Sequence, residues 1–191
     1  MTATTDTAPA PSPKQSYGPV SRINHWVIAV LFIGALALGL TMEFAPLERE
    51  SKMALMDPHK ALGVAVFVFG LWRVGWRLAR GFPAPAGDDP RWQHAAAVTV
   101  HYLLLAAIIA MPASGIVMSL AGGRALDIAD VTLVPALGKV EWLSAAAHTM
   151  HGVAGKLAAI IVALHFAAAL KHHFIDRDAT LVRMVNGSAT R

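Results

Sequence analysis

The sequence predicts an all-α integral membrane protein, a four-transmembrane-helix bundle. Three observations carry this. The chain is apolar, with 55% hydrophobic against 15% charged residues in 191 and a mean hydropathy of +0.52. Four apolar stretches, at about 23–42, 59–78, 95–120 and 145–170, each approach the roughly 20 residues a spanning helix needs. In the fourth, His151 and His165 stand fourteen residues apart. At about 100° per residue they return to within roughly 40° of one another, about 21 Å apart along the axis. Ionisable side chains are costly in lipid and mark functional sites by default. Two imidazoles on one face, one near each edge of the hydrocarbon, are what a helix needs to hold two haems stacked across a membrane.

The first stretch has no polar face between 27 and 40, which excludes the amphipathic helix of a soluble hairpin. Four helices fill most of the chain, so residues 17–184 read as one dihaem domain with no soluble catalytic module. Residues 1–16, rich in Thr, Ala, Pro and Ser, are expected to be a disordered tail. They resemble a tail more than a signal peptide, since cleavage after the first apolar run would remove His25. Residues 185–191 form a short C-terminal tail. Cysteine is absent, which excludes disulfides, thiolate-held clusters and covalent haem attachment through Cys.

Orientation follows from Lys and Arg in the connections. Ten lie in the N-terminal tail (Lys14, Arg22), the second connection (Arg73, Arg77, Arg80, Arg91) and the C-terminal tail (Lys171, Arg177, Arg183, Arg191). Four lie in the first and third: Arg49, Lys52, Arg124 and Lys139. Both termini are therefore expected in the cytoplasm. The basic balance belongs to this inner face and gives no support to nucleic-acid binding.

If His151 and His165 ligate two irons, each iron needs a partner at the same depth. His25, at the inner start of the first helix, is level with His165; His59, at the outer start of the second, is level with His151. The pairs are then His25–His165 and His59–His151, against the plainer reading of each as an interfacial histidine. His101 competes with His25, but the third helix offers no outer partner for His151; a supporting or propionate contact suits His101, and a solvated position suits His94. His148 lies seventeen residues before His165, which turns the two apart by about 100°. His173 reads as a surface residue.

Arg73 and Arg77 share a face at the inner end of the second helix, with Arg22 nearby. Two readings stand for them: counter-ions to haem propionates, or snorkelling anchors. Lys156, more than a turn inside the fourth helix, would answer an outer-haem propionate or a passing anion. The tryptophans Trp26, Trp72, Trp76, Trp92 and Trp142 sit near interfaces, as belt residues do. Pro112 is expected to kink the third helix and free a carbonyl against which a cofactor can pack.

Several short motifs then stand in order. The first helix opens Tyr17-Gly-Pro-Val-Ser-Arg-Ile-Asn-His25-Trp26. The second carries His59-Lys-Ala-Leu-Gly63 and Arg73-Val-Gly-Trp-Arg77. The third carries His101-Tyr102 and Met111-Pro-Ala-Ser-Gly115, and the fourth His151 and His165-Phe…Lys171-His172-His173-Phe174. Together, from Tyr17 to Met184, they resemble the bacterial cytochrome b561 family. The resemblance implies four transmembrane helices in the bacterial inner membrane, two b haems, and axial histidines at His25, His59, His151 and His165, in agreement with the pairing by depth. It further implies electron transfer from superoxide at the outer face to ubiquinone, with a quinone region falling on His172. An imidazole titrates near neutral pH and suits proton delivery there.

One departure bears on the donor. The first loop holds Glu43, Glu48, Glu50 and Asp57 against Arg49 and Lys52, which is no surface built to attract an anion. Lys60 and Lys156 would have to supply a local positive patch. The alternative is a cytochrome b subunit relaying electrons between quinone and a partner dehydrogenase or hydrogenase, with the acidic loops as docking surface. From another class, a haem-free metal-ion transporter would line its path with the same histidines.

Overall fold

The structure is a computed structural model that describes residues 16–86, 90–128 and 131–188. The tail expected at 1–16 lies outside them except for Ser16, as do 189–191. Four long helices carry the fold: α1 (Pro19–Phe44), α2 (Arg49–Arg80), α3 (Arg91–Ala121) and α4 (Glu141–Lys171). Each is long and apolar enough to cross a membrane, with 26, 32 and 31 residues in the first three. The π-helical turn His172–Asp176 continues α4 to 36 residues. Each helix packs on the next and α4 returns to α1. One end of the bundle carries the start of α1 and the end of α4 and is the terminal end; the other is the hairpin end.

All four helices are longer than the apolar stretches. The largest difference is α2, which begins at Arg49. Its first turns carry charge and Pro58, so hydropathy alone reads them as loop; the proline forfeits the bond to the Ala54 carbonyl and crowds it, yet the helix runs through it. Two further elements carry no hydropathy signal. A hairpin of β1 (Leu126–Ile128) and β2 (Val131–Val134) lies between α3 and α4. A short helix α5 (Thr180–Val185) follows the π turn, so helical structure continues into the tail predicted from 185.

The core is a single apolar cluster of Ile28, Phe32, Val66, Ile108, Met111 and Ala158, with contributions from every long helix. Pro112 lies within an unbroken α3 and has no N–H to give Ile108 four residues earlier. The carbonyl so freed lies against α2. A Cβ added at Gly70 of α2 would lie 2.9 Å from the Ile108 oxygen, so only glycine allows this approach.

The terminal end is closed by α5. Trp26 Nε1 donates to the Met184 carbonyl over 3.1 Å, Arg22 Nη1 to Val185 over 3.2 Å, and Arg183 Nη1 to Ala84 over 2.9 Å. Trp26 thus has a specific partner beyond any belt role.

Candidate haem sites

The expected histidines gather in two tiers. At the hairpin end, His59 of α2 and His151 of α4 meet with ring centroids 6.0 Å apart and planes at 87°. Each ring is held from behind by a different neighbour. His59 Nδ1 lies 3.0 Å from the Ala35 carbonyl of α1. His151 Nδ1 lies 3.1 Å from the Met111 carbonyl and 2.9 Å from Ser114 Oγ, both on α3. A carbonyl only accepts, so each Nδ1 carries the proton and each Nε2 keeps its lone pair. That is the tautomer a metal-binding imidazole needs, with the second nitrogen fixed by a hydrogen bond.

One glycine opens room for each ring, in the same place relative to its carbonyl. Gly39 stands four residues after Ala35, and a Cβ there would lie 3.2 Å from His59 Cε1; Gly115 stands four after Met111, and a Cβ there would lie 3.2 Å from His151 Cε1. The sequence reading missed these glycines and Ser114, though the last two lie inside the Met111–Gly115 motif. The pair lines a cavity of about 250 Å³ whose walls include Gly63 and Gly152. At both glycines an added Cβ would meet nothing within 4 Å. Opposed imidazoles with free Nε2 atoms beside a cavity lined by several glycines fit a haem at this tier.

The rim of that cavity includes Glu43, His148 and Lys156. Lys156 Nζ is paired with Glu43 Oε1 at 2.8 Å, and Lys60 Nζ with Asp57 at 3.6 Å. The two lysines expected to form a positive patch are each matched by an acid.

At the terminal end three histidines meet. His165 of α4 lies 6.3 Å from His25 of α1 and 5.6 Å from His101 of α3, and His101 stacks on Phe82 at 5.4 Å. Behind His25 the arrangement is the reverse of the other tier. Arg73 Nη2 lies 3.2 Å from His25 Nδ1, and its Nη1 donates to Asn24 Oδ1 over 3.1 Å. A guanidinium only donates, so His25 Nδ1 accepts and the neutral ring carries its proton on Nε2. The donor set suits a haem, but ligation through His25 Nε2 requires Arg73 to turn to another acceptor, which a propionate carboxylate would provide. Arg77 donates to Ser21 Oγ (3.0 Å) and the Gly81 carbonyl (2.8 Å), between the rings of Tyr17 and Phe82. Burial pushes the Tyr17 hydroxyl above its ordinary value, against the opposing pull of Arg77, Arg73 and Arg183.

In the π turn that ends the α4 span, His172 Nδ1 lies 2.6 Å from Asp178 Oδ2, and Asp178 Oδ1 accepts the Thr180 N–H over 2.8 Å at the start of α5. The carboxylate joins the π turn to α5. His94 and His148 are exposed, and His173 is half-buried.

A four-helix membrane bundle with imidazoles opposed in two tiers defines the class, a membrane cytochrome b. Sequence comparison agrees: the chain matches prokaryotic cytochrome b561 over residues 16–187. It belongs to that family, which binds haem b and transfers electrons in membranes. It is 29% identical over 177 residues to cytochrome b561 homolog 2 of Escherichia coli (strain K12), covering 92% of this chain and 94% of the relative. With cytochrome b561 homolog 1 of the same organism it shares 25% over 162 residues, 84% of this chain and 92% of the relative. With a probable superoxide oxidase CybB of Yersinia pestis it also shares 25% over 162 residues, 84% and 90% of the two chains.

Proposed function

We propose that this chain is a dihaem cytochrome carrying electrons from superoxide at the outer face of the inner membrane to ubiquinone at the inner face, with the terminal end cytoplasmic. When bound, haem supplies a one-electron carrier at each tier. His59 and His151 would hold the outer one, and His25 and His165 the inner one. The observation that carries the reading is the matched setting of His59 and His151, each Nδ1 on an acceptor and each Nε2 free. Two such ligands would leave an iron no open position, which suits electron transfer rather than oxygen binding.

Arg73, released from His25, would hold an inner propionate, with Arg77 and Arg22 beside it; His101 would support His165 through its ring contact. Two superoxide ions give up one electron each and leave as dioxygen; ubiquinone takes both electrons and two protons and becomes ubiquinol. His172 would deliver a proton or hydrogen bond to the quinone, its ring oriented by Asp178. The support for superoxide is the resemblance and one relative's name. A haem-free transporter does not suit a family that binds haem b.

A second reading has an observation of its own. Lys156 and Lys60, the two lysines expected to attract an anion, pair with Glu43 and Asp57, and Glu48 and Glu50 add further acid to the same connection. A partner redox subunit with a basic docking face fits that surface. Rapid mixing of the purified protein with superoxide, with and without ubiquinone, tests the two. Haem reduction by superoxide followed by quinone-dependent re-oxidation is expected. Reduction no faster than superoxide's spontaneous decay would favour the partner subunit.

A further inference from the structure

The two outer-tier histidines are set alike except for one atom. His59 Nδ1 has the Ala35 carbonyl as its partner. His151 Nδ1 has the equivalent Met111 carbonyl and, closer, the hydroxyl of Ser114. Ser114 is 2% exposed, so water does not compete for it. Its own proton is committed to the Met111 carbonyl, 2.7 Å away, which leaves Oγ lone pairs facing the His151 N–H. A buried helical serine often bonds back to its own helix and does no more. Here the back-bond instead orients the oxygen as an acceptor for a ring on another helix.

We infer that Ser114 is a positioning residue for His151: its hydroxyl fixes the ring's tautomer and lowers the potential of the haem that His151 would hold. The inference rests on the two-haem reading. An acceptor on Nδ1–H gives the imidazole more imidazolate character and makes Nε2 a stronger donor, and a stronger donor favours ferric iron. His59 lacks the hydroxyl, so the tuning comes through His151 alone.

Ser114→Ala removes the hydroxyl and keeps the fold's requirements. Alanine is the better helix former, and the Met111 carbonyl still accepts the His151 proton. The control is Ser119→Ala on the same helix, a buried serine whose Oγ has no hydrogen-bond partner among the described residues. Redox titration of the purified proteins should give two waves in wild type, the outer one identified by its loss in His59→Ala. In Ser114→Ala that wave alone should move to higher potential, by about tenfold in its redox equilibrium or ~59 mV for one electron, and Ser119→Ala should leave both in place.

The ferric low-spin resonance of the same haem should shift with it. Two waves unmoved by Ser114→Ala overturn the role of Ser114 and leave the two-haem reading standing. Equal movement of both waves, or the same movement in Ser119→Ala, makes the effect general packing and overturns it as well. Loss of both haems in Ser114→Ala would make the serine a folding residue and nothing more. A wild type with a single wave overturns the two-haem reading, and this inference with it.

Discussion

His59 and His151 face each other edge to face, 6.0 Å between ring centroids, and each is fixed from behind by a helix other than the two that carry them. One ring leans on α1 and the other on α3, so all four helices converge on one potential iron position. His59→Ala or His151→Ala should therefore remove one of two haems, and His25→Ala or His165→Ala the other. Pyridine haemochrome assay of the purified variants measures this; a wild-type content of one haem per chain would refute the pairing.

The approach of Gly70 to Ile108 is equally specific. Gly70→Ala places a methyl 2.9 Å from a backbone oxygen, and backbone cannot swing aside as a side chain can. Forced overpacking of this kind costs about 1–3 kcal/mol. The variant should unfold at lower temperature in detergent, whereas Gly75→Ala on the same helix, where an added Cβ meets nothing within 4 Å, should be neutral or stabilising. Equal melting of the two variants would mean that the contact carries no packing constraint.

How far the sequence was legible follows from these cases. Hydropathy located the four helices because lipid demands apolar length whatever the tertiary contacts. Depth matching brought His59 to His151 and His25 to His165 because rise per residue is fixed. It also made His101 a competitor of His25, and the structure sets His101 beside His165; how closely it approaches depends on rotation about the α3 axis, which packing decides. For the same reason Ser114, Gly39 and Gly115 stood out only once the helices were docked. Charge counting read Glu43 as a loop acid and Lys156 as a free cation; α1 extends far enough to set them on one another. The β hairpin and α5 run three to six residues each, too short to register in a hydropathy window of about 19 residues.

Asp178 joins the π turn to α5. Burial pushes its carboxyl up, but bonds from Thr180 and His172 outweigh this and hold it below its ordinary value. A depressed carboxylate contributes stability that is full above its unfolded value and lost as pH falls through the folded one. The docking of α5 should therefore persist through neutral pH and loosen only below about pH 4. Trp26 reports it, since its indole donates to Met184 in α5; the fluorescence change should vanish in Trp26→Phe. Asp178→Asn should loosen α5 already at neutral pH, and an unchanged Trp26 signal in that variant would show that α5 is held by other contacts.

Ten inner against four outer Lys and Arg predict both termini in the cytoplasm. Reporter fusions after residue 188 and within 48–52 should fall on opposite sides, with the first cytoplasmic. The same side for both would mean that α2, α3 and α4 do not all span; the reverse sidedness would put the His59–His151 tier at the inner face.

Electron entry turns on the Glu43–Lys156 pair. If superoxide enters past this rim, the two partners should act with opposite sign. Lys156→Gln leaves Glu43 as an unopposed negative charge and should slow haem reduction a few-fold; Glu43→Gln frees the ammonium and should speed it. Both effects should fade as salt rises, because exposed charges separated by more than about 10 Å are screened at 0.1 M, and steering of a small anion is an ionic-strength-dependent rate effect. Neither change should alter re-oxidation by ubiquinone. His172→Ala, at the other end, should do the converse: normal reduction by superoxide and slow electron delivery to quinone. Stopped-flow traces of reduction and re-oxidation separate the two steps. If both rim variants are reduced at the wild-type rate at every salt, superoxide does not enter there, and the acidic outer face is better explained as the seat of a protein donor.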